Sequence, residues 1–437
     1  MQKTKRNALV WLRNDLRMED HFSFHDASQN CDSVIAYYSF DPKQFEYTKW
    51  GFRKTGNFRT QFLIESLNDL KQTLAEKNIS LIVEINSPAE SIQKWISDLE
   101  ITDLYFQHEW TREERETADQ VKKKITPNVN IHTHYDQFLF HPEDIPMDIN
   151  SLPEVFTVFR KQCEKQVEVH PCFIEVPSFP KENLLKQDFQ IPTLKRLGLE
   201  EIQTHPHTAF PFKGGSKAGL SRINQYLWQT KKLSFYKQTR NGLLGKDYSS
   251  KFSAWLANGA LSARQIYWEV IRYEKEEKKN QSTYWMIFEL IWRDYFKYIS
   301  LKHGDKIFHL EGILGKKYSW DTDKKKFDAW INGNTTQTFV NANMIELSKT
   351  GWMSNRGRQN VASYFAKDLL MDWRMGAAYF ESMLIDYDVH SNFGNWMYVS
   401  GVGNDPRDRK FNARMQAERY DQDGKFQRLW NQKSLFE

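Results

Sequence analysis

Ala8-Leu-Val-Trp-Leu12 is a short apolar run that reads as a strand. Four more runs of the same kind follow at Ser33–Ser39, Leu81–Ile85, Asp103–Phe106 and Asn130–His134. Between the second and third, Phe58, Phe62, Leu63, Leu67, Leu70 and Leu74 recur at helical spacing. This strand–helix alternation predicts an N-terminal α/β domain, over residues 1–135, built on a doubly wound parallel sheet. Ligands of such sheets bind beyond the carboxyl ends of the strands. Prolines at 142, 146, 153, 171, 177, 180, 192, 206 and 211 then break helix formation, so residues 136–212 read as a long surface connector. It carries one short helix near Glu154–Lys165. From 213 to 437 strand signals nearly vanish. Helical spacing recurs in Ala218–Trp228, Ser262–Glu274, Ser282–Tyr298 and Asn360–Asp372, which predicts an all-α C-terminal domain.

Composition excludes several classes. No apolar stretch approaches the 18 residues of a membrane span, so no membrane partner is expected. Cys31, Cys163 and Cys172 have no close CxxC spacing, which points to a reduced, cytoplasmic protein without a disulfide framework or zinc site. Met1–Asn7 lacks the apolar core of a secretion signal. A formal charge of +5 says little about nucleic acid by itself. The aromatic content says more: 15 Trp, 19 Tyr and 30 Phe exceed what ordinary patterning needs and suggest a stacking surface or a bound aromatic group as well as core.

Four stretches carry candidate chemistry. In Tyr284-Trp-Met-Ile-Phe-Glu-Leu-Ile-Trp-Arg-Asp-Tyr-Phe296, positions 285, 289, 292, 293 and 296 share one helix face. Glu289 and Arg293, four apart, can pair. The face is either core with one ion pair or the wall of a cavity for a flat polar ligand, with Glu289 on its edge and Trp292 against its plane. Trp352-Met-Ser-Asn-Arg-Gly-Arg-Gln-Asn360 opens a helix with Asn355 and Gln359 on one side, flanked by Arg356 and Arg358. It is either a polar helix start or a site where amides read bases and arginines neutralise phosphates. Asp386-Tyr-Asp-Val-His-Ser-Asn-Phe-Gly-Asn-Trp-Met-Tyr398 reads as a polar loop between apolar helices. Asp386 and Asp388 lack a third ligand, so a metal is not expected; a heterocycle edge is. Tyr248-Ser-Ser-Lys-Phe-Ser253 leads into a helix at Ala254–Asn258 and is either an ordinary serine cap or a phosphate cradle.

In order and spacing these stretches resemble the cryptochrome/photolyase family, over nearly the whole chain from Trp11-Leu-Arg-Asn-Asp-Leu-Arg17 to Gly401-Val-Gly-Asn-Asp405. Phe40-Asp-Pro, Lys54-Thr-Gly, Pro153-Glu-Val-Phe-Thr, Tyr236-Lys-Gln-Thr-Arg-Asn-Gly242 and Asn355-Arg-Gly-Arg-Gln-Asn-Val361 look like its DASH branch. The resemblance implies an antenna domain followed by a helical domain holding FAD. Tyr236 and the run Ser249, Ser250, Lys251, Phe252, Ser253 would contact the diphosphate side. Glu289 and Arg293 would lie beside cofactor and substrate, Arg358 and Asp386 would pair next to the flavin ring with Asp388 close by, and Asn392 would face N5.

The implied reaction is blue-light-driven repair of cyclobutane pyrimidine dimers by one electron from reduced FAD. Glu289 would hydrogen-bond the dimer, Asn355 a neighbouring base, and Arg356 a phosphate. Trp292 would pack on the lesion after it leaves the stack. Trp396, Trp373 and Trp320 match the family's tryptophan relay. Tyr398 and Gln359 stand where duplex-repairing members carry Trp and Met, which implies weaker stacking and a preference for single-stranded DNA. Glu109 matches the carboxylate that holds a pterin, so the antenna implied is 5,10-methenyltetrahydrofolate, although a plain surface helix with Glu113, Glu114 and Glu116 explains the same residues. A monomer is expected. The rival function is a blue-light photoreceptor with a signalling or regulatory role and little repair. Signalling members usually extend well past the core, and only seven residues follow Trp430 here, which favours repair.

Overall fold

The computed structural model describes residues 5–173 and 175–432; the first four residues and most of the stretch beyond Trp430 lie outside it. Five strands, β1 (Asn7–Trp11), β2 (Ser33–Ser39), β3 (Leu81–Glu84), β4 (Asp103–Gln107) and β5 (Asn130–His134), form one sheet in the order 3-2-1-4-5. Every pairing is parallel. All five expected strands are present, displaced by at most one residue at an end.

Central β1 shows why. Ala8 and Val10 join Phe24 of α1 (Phe22–Asn30) and Leu67, Leu70 and Leu74 of α2 (Asn57–Glu76) on one face. Leu9 and Trp11 join Ile92, Trp95 and Ile96 of α3 (Pro88–Asp98) and Ala118 and Val121 of α4 (Arg112–Lys124) on the other. A strand covered on both faces is apolar throughout. The order reverses between β1 and β4, and a ligand crevice is expected beyond their carboxyl ends.

The connector is more than a surface wrap. Its helix α5 (Phe156–Gln166) puts Phe156, Phe159 and Cys163 into the core of the helical domain. Val176, Phe179, Leu194, Leu197 and Leu199 complete the sheet's core instead. The backbone there is held by side chains: the Asn183 amide accepts from Val34 N and donates to the Val34 and Asn78 carbonyls. Proline removes helix but leaves apolar residues free to bury.

The C-terminal part is helical: α6 (Ser216–Ile223), α7 (Tyr236–Thr239), α8 (Ser253–Ala257), α9 (Ala263–Glu276), α10 (Gln281–His303), α11 (Lys324–Ile331), α12 (Thr338–Thr350), α13 (Asn355–Ser363), α14 (Trp373–Met383), α15 (Val389–Ser400), α16 (Ala413–Tyr420) and α17 (Lys425–Asn431). The expected helices at Ala218–Trp228 and Asn360–Asp372 begin earlier and end in π turns, Asn224–Gln229 and Tyr364–Asp368. Helix α10 starts on a reciprocal cap between Asn280 and Thr283. Among the described residues no helix is long and apolar enough to cross a membrane.

The two domains meet through buried charge. Arg264 of α9 donates to Asp20 at 2.9 Å and to Asp136 at 2.6 Å, while Arg17 donates to Asp136 at 2.7 Å. All four side chains are nearly inaccessible to water. Beside them Gly259 sits at φ +72°, and a Cβ there would stand 2.0 Å from the Asn14 carbonyl oxygen. Only glycine lets the helical domain lie this close to the turn after β1.

Candidate functional site: two adjoining cavities and an interdomain cleft

Helices α10, α13 and α15 enclose two adjoining cavities. The smaller, about 100 Å³, is walled by Arg358, Asp386, Asp388, Asn392 and Trp396. The larger, about 400 Å³, opens beside it between Arg240, Glu289, Trp292, Arg356, Tyr398 and Arg409. Asn355, Gln359, Ser391, Asn395 and Val399 line both.

In the smaller cavity Arg358 donates to both oxygens of Asp386, at 2.9 and 3.0 Å, and Ser253 Oγ donates to the same carboxylate at 2.7 Å. The Asn392 amide donates to the Ala377 carbonyl at 3.0 Å. Residues 389–398 are helix, not the expected polar loop: the Asp388 side chain caps α15 by accepting from Ser391 N, and Asn392, Asn395 and Trp396 project from that helix. Capping and helical spacing together aim these side chains, an arrangement that the clustering of polar residues concealed. Asp388 also pairs with Lys297 at 3.1 Å. Although burial raises its carboxyl, Lys297, His390 and Arg293 overcome that and hold it far below the usual range.

The 249–253 segment is fixed by a residue the sequence reading missed. Buried Arg222 donates to the carbonyls of Ser249 and Ser250 and pairs with Asp247. Lys251 lies in left-handed backbone at φ 67°, and Phe252 is core. The Lys251 ammonium is buried with no hydrogen-bond partner among the described residues, 3.2 Å above the Tyr248 ring. Burial drives its pKa well down. An unpartnered buried Lys251 Nζ, serines held by Arg222, an amide and an Arg–Asp pair are polar groups that an anionic flavin dinucleotide could engage, so these residues fit FAD. Tyr236 is buried at the start of α7, close to Arg240 and Glu289.

In the larger cavity the Glu289–Arg293 pair that the spacing allows does not form. Glu289 pairs with Arg240 at 2.6 Å. Arg293 instead donates to the carbonyls of Gln137 and Leu256, fastening α10 to the connector and α8. A guanidinium already used by two carbonyls is not available one turn away. Burial raises the Glu289 carboxyl above its ordinary value, against the pull of Arg240. Trp292 stacks on Phe156, 3.7 Å between centroids, and lines the cavity with Tyr398. Arg356 donates to Gln359 Oε1 and to Asn241, and Arg409 to the Tyr398 hydroxyl. Arg240 and Asn241 lie within the Tyr236–Gly242 motif, the signal that could have disclosed them; nothing local marks Arg409.

Trp396 borders the smaller cavity and packs against Phe380 at 5.1 Å. A Cβ on Gly376 would stand 2.2 Å from its ring, so glycine there admits the indole against α14. Trp373 begins α14 and donates to the Leu310 carbonyl. Asp321, next to Trp320, is bridged to Met371, and its backbone bonds to Leu370 and Asp372 tie Trp320's segment to the start of α14.

A third cavity of about 430 Å³ lies where the sheet topology places a crevice, between the turns after β1 and β4 and the helical domain. Glu109 is buried there, not on a surface helix; it accepts from Asn14 at 3.0 Å and Gln107 at 3.2 Å and pairs with Arg13 at 3.3 Å. Burial pushes its carboxyl up. Glu113 and Glu114 also line the cleft, with Lys297 and Arg374. Tyr387 and Asp388 line both this cleft and the smaller cavity.

Comparison with known proteins identifies the family and the fold. Residues 8–181 match the family model described as DNA photolyase, and residues 285–433 match that described as the FAD binding domain of DNA photolyase. The cryptochrome DASH of Gloeobacter violaceus is 47% identical over 427 residues, covering 97% of this chain and 85% of that protein. That of Xenopus laevis is 45% identical over 424 residues, covering 96% and 81%. The solved structure of a Synechocystis cryptochrome superposes with a TM-score of 0.94 at 43% identity, covering 98% of this chain and 89% of that one. A class III photolyase from Agrobacterium tumefaciens, at 23% identity and a TM-score of 0.82, shares the fold.

Proposed function

The chain belongs to the DASH-type cryptochromes of the photolyase family, and from that premise we propose that it repairs cyclobutane pyrimidine dimers under blue light, preferentially in single-stranded DNA. One observation carries the reading: the Glu289 cavity adjoins the Asp386–Asn392 cavity, with five residues common to both walls. A lesion in the first would lie against a cofactor in the second.

Bound FAD, reduced and photoexcited, would supply one electron and take it back. The protein's residues do the rest. Arg358, Asp386, Ser253 and Lys251 hold the cofactor. Asn392 offers it an amide where a carboxylate would favour a protonated flavin. Glu289, whose carboxyl burial raises against the pull of Arg240, would hydrogen-bond the dimer as negative charge develops there. Arg240, Arg356 and Arg409 surround the mouth with positive charge for phosphates, and Asn355 and Gln359 offer amides to bases. Trp292, stacked on Phe156, and the single Tyr398 ring provide less stacking face than two open indoles, which supports a lesion that is already unpaired.

The interdomain cleft fits a folate. A pterin presents adjacent N–H donors, and Glu109 is a buried acceptor for them. Lys297 and Arg374 suit the folate's carboxylate tail. We assign this cleft to 5,10-methenyltetrahydrofolate, and Trp396, Trp373 and Trp320 to the reduction of the cofactor from the surface. The same proposal places the protein in the cytoplasm as a monomer.

The test is repair of one dimer-containing oligonucleotide, melted and annealed, by FAD-loaded protein under blue light. Faster repair of the melted strand is expected. Equal rates reject the strand preference, and no repair of either supports a photoreceptor.

A further inference from the structure

Trp320, the outermost tryptophan of the expected relay, has a neighbour that repair leaves unused. The Tyr318 ring lies 5.4 Å from the Trp320 ring, with the two planes at 61°. Tyr318 is 39% exposed, and its hydroxyl donates to Asp408 Oδ2 at 3.3 Å. Lys367 pairs with the same carboxylate and holds its ammonium 5.3 Å over the Tyr318 ring. Asp408 packs against Gly401, where a Cβ would stand 2.0 Å from Asp408 Oδ1 and displace it from this position.

The surroundings of Trp320 give this arrangement its meaning. The Trp320 indole N–H is buried and has no hydrogen-bond partner among the described residues. An oxidised tryptophan sheds its charge by passing that proton to a base, and none is in contact. The charge therefore stays on the ring until the electron returns or another donor supplies one. Tyr318 is in van der Waals range and has a base on its hydroxyl. The Lys367 ammonium above the ring opposes a cationic tyrosine, which favours loss of the electron and the proton together.

We propose that Tyr318 is the terminal electron donor of the relay, with Asp408 as its proton acceptor. One electron passes from Tyr318 to the oxidised Trp320, and the phenolic proton passes to the Asp408 carboxylate. The products are neutral Trp320, a neutral tyrosyl radical and a protonated Asp408. A small thiol or an ascorbate-type reductant then returns one electron at the exposed ring, and the proton comes back from Asp408. The proposal rests on Trp320 belonging to the relay.

The experiment is flash excitation of the FAD-loaded full chain with the cofactor oxidised, followed by transient absorption and electron paramagnetic resonance. A tyrosyl signal should grow as the Trp320 signal decays, and the step should slow in D₂O. Tyr318→Phe should remove the tyrosyl signal and shorten the life of the separated charges; Asp408→Asn should prolong the Trp320 signal. Absence of a tyrosyl signal in the unaltered protein, or an unchanged lifetime in Tyr318→Phe, overturns the proposal. Unchanged kinetics in Asp408→Asn removes Asp408 from it. Trp320→Phe separates the two levels. If it still gives long-lived radicals, the relay assignment itself falls; if it abolishes them while Tyr318→Phe changes nothing, only the role of Tyr318 falls.

Discussion

Glu289 pairs with Arg240 across the larger cavity, at 2.6 Å, although Arg293 stands one turn along its own helix. Burial raises the Glu289 carboxyl and Arg240 opposes the rise, so removing Arg240 raises it further. The protonated form is present below the folded pKa and lost as pH rises through it. Arg240→Met is expected to move the alkaline limb of the repair profile to higher pH, and Glu289→Gln to flatten it. Glu289→Ala should lower the repair yield roughly tenfold or more, the equivalent of one charge-assisted hydrogen bond of about 1.5–3 kcal/mol. Single-turnover repair against pH measures all three, with retained flavin absorbance as the control.

Arg358 grips both oxygens of Asp386, which Ser253 also contacts. Asp386→Asn should weaken FAD retention by about tenfold to a hundredfold, since one charge-assisted contact is worth about 1.5–3 kcal/mol. Ser253→Ala, which removes a neutral donor, should cost less. Release of FAD fluorescence on dilution checks the order; equal losses would contradict it.

These contacts mark the limit of what the sequence discloses. The strands were legible because apolar runs such as Val10 and Ile35 must be covered on both faces whatever the partner. The candidate residues were legible as motif members, and the structure gathers Arg358, Asp386 and Asn392 around one cavity. Partner choice was not. Spacing favours Glu289–Arg293, but the carbonyls of Gln137 and Leu256, distant in sequence, occupy that guanidinium first. Arg222 holds the serine loop from another helix, and Glu109 is buried by a domain that begins far along the chain. Connector residues such as Phe159 looked peripheral because proline density reports backbone conformation and is silent on burial.

Arg264 is shared between Asp20 and Asp136 at the domain junction. Arg264→Met would leave two buried carboxylates short of a partner, with an expected loss of about 3–5 kcal/mol. Burial acts to raise Asp136, yet Arg17 and Arg264 bring it down to about 2. A folded value below the unfolded one, about 3.9, means stability that is complete above pH 4 and lost as pH falls toward 2. Denaturant melts at pH 7, 4 and 3 should show this slope in the unaltered protein and a shallower one in Arg264→Met.

Glu109 is the buried acceptor of the interdomain cleft. Glu109→Ala, in protein supplied with methenyltetrahydrofolate, should lose the near-ultraviolet antenna band and keep the flavin bands. Dimer repair driven by light absorbed by FAD itself should continue. A band that survives the substitution would place the folate elsewhere.

Tyr387 and Asp388 line both the interdomain cleft proposed for the folate and the smaller cavity proposed for the flavin. Two tenants that share a wall share its free energy: whichever binds first stiffens or bends the backbone the other must meet. Their affinities are then reciprocal: by whatever factor occupancy of one changes the affinity of the other, the reverse change is the same. Exchanging the light-gathering pigment for another would thus retune how firmly the redox cofactor is kept.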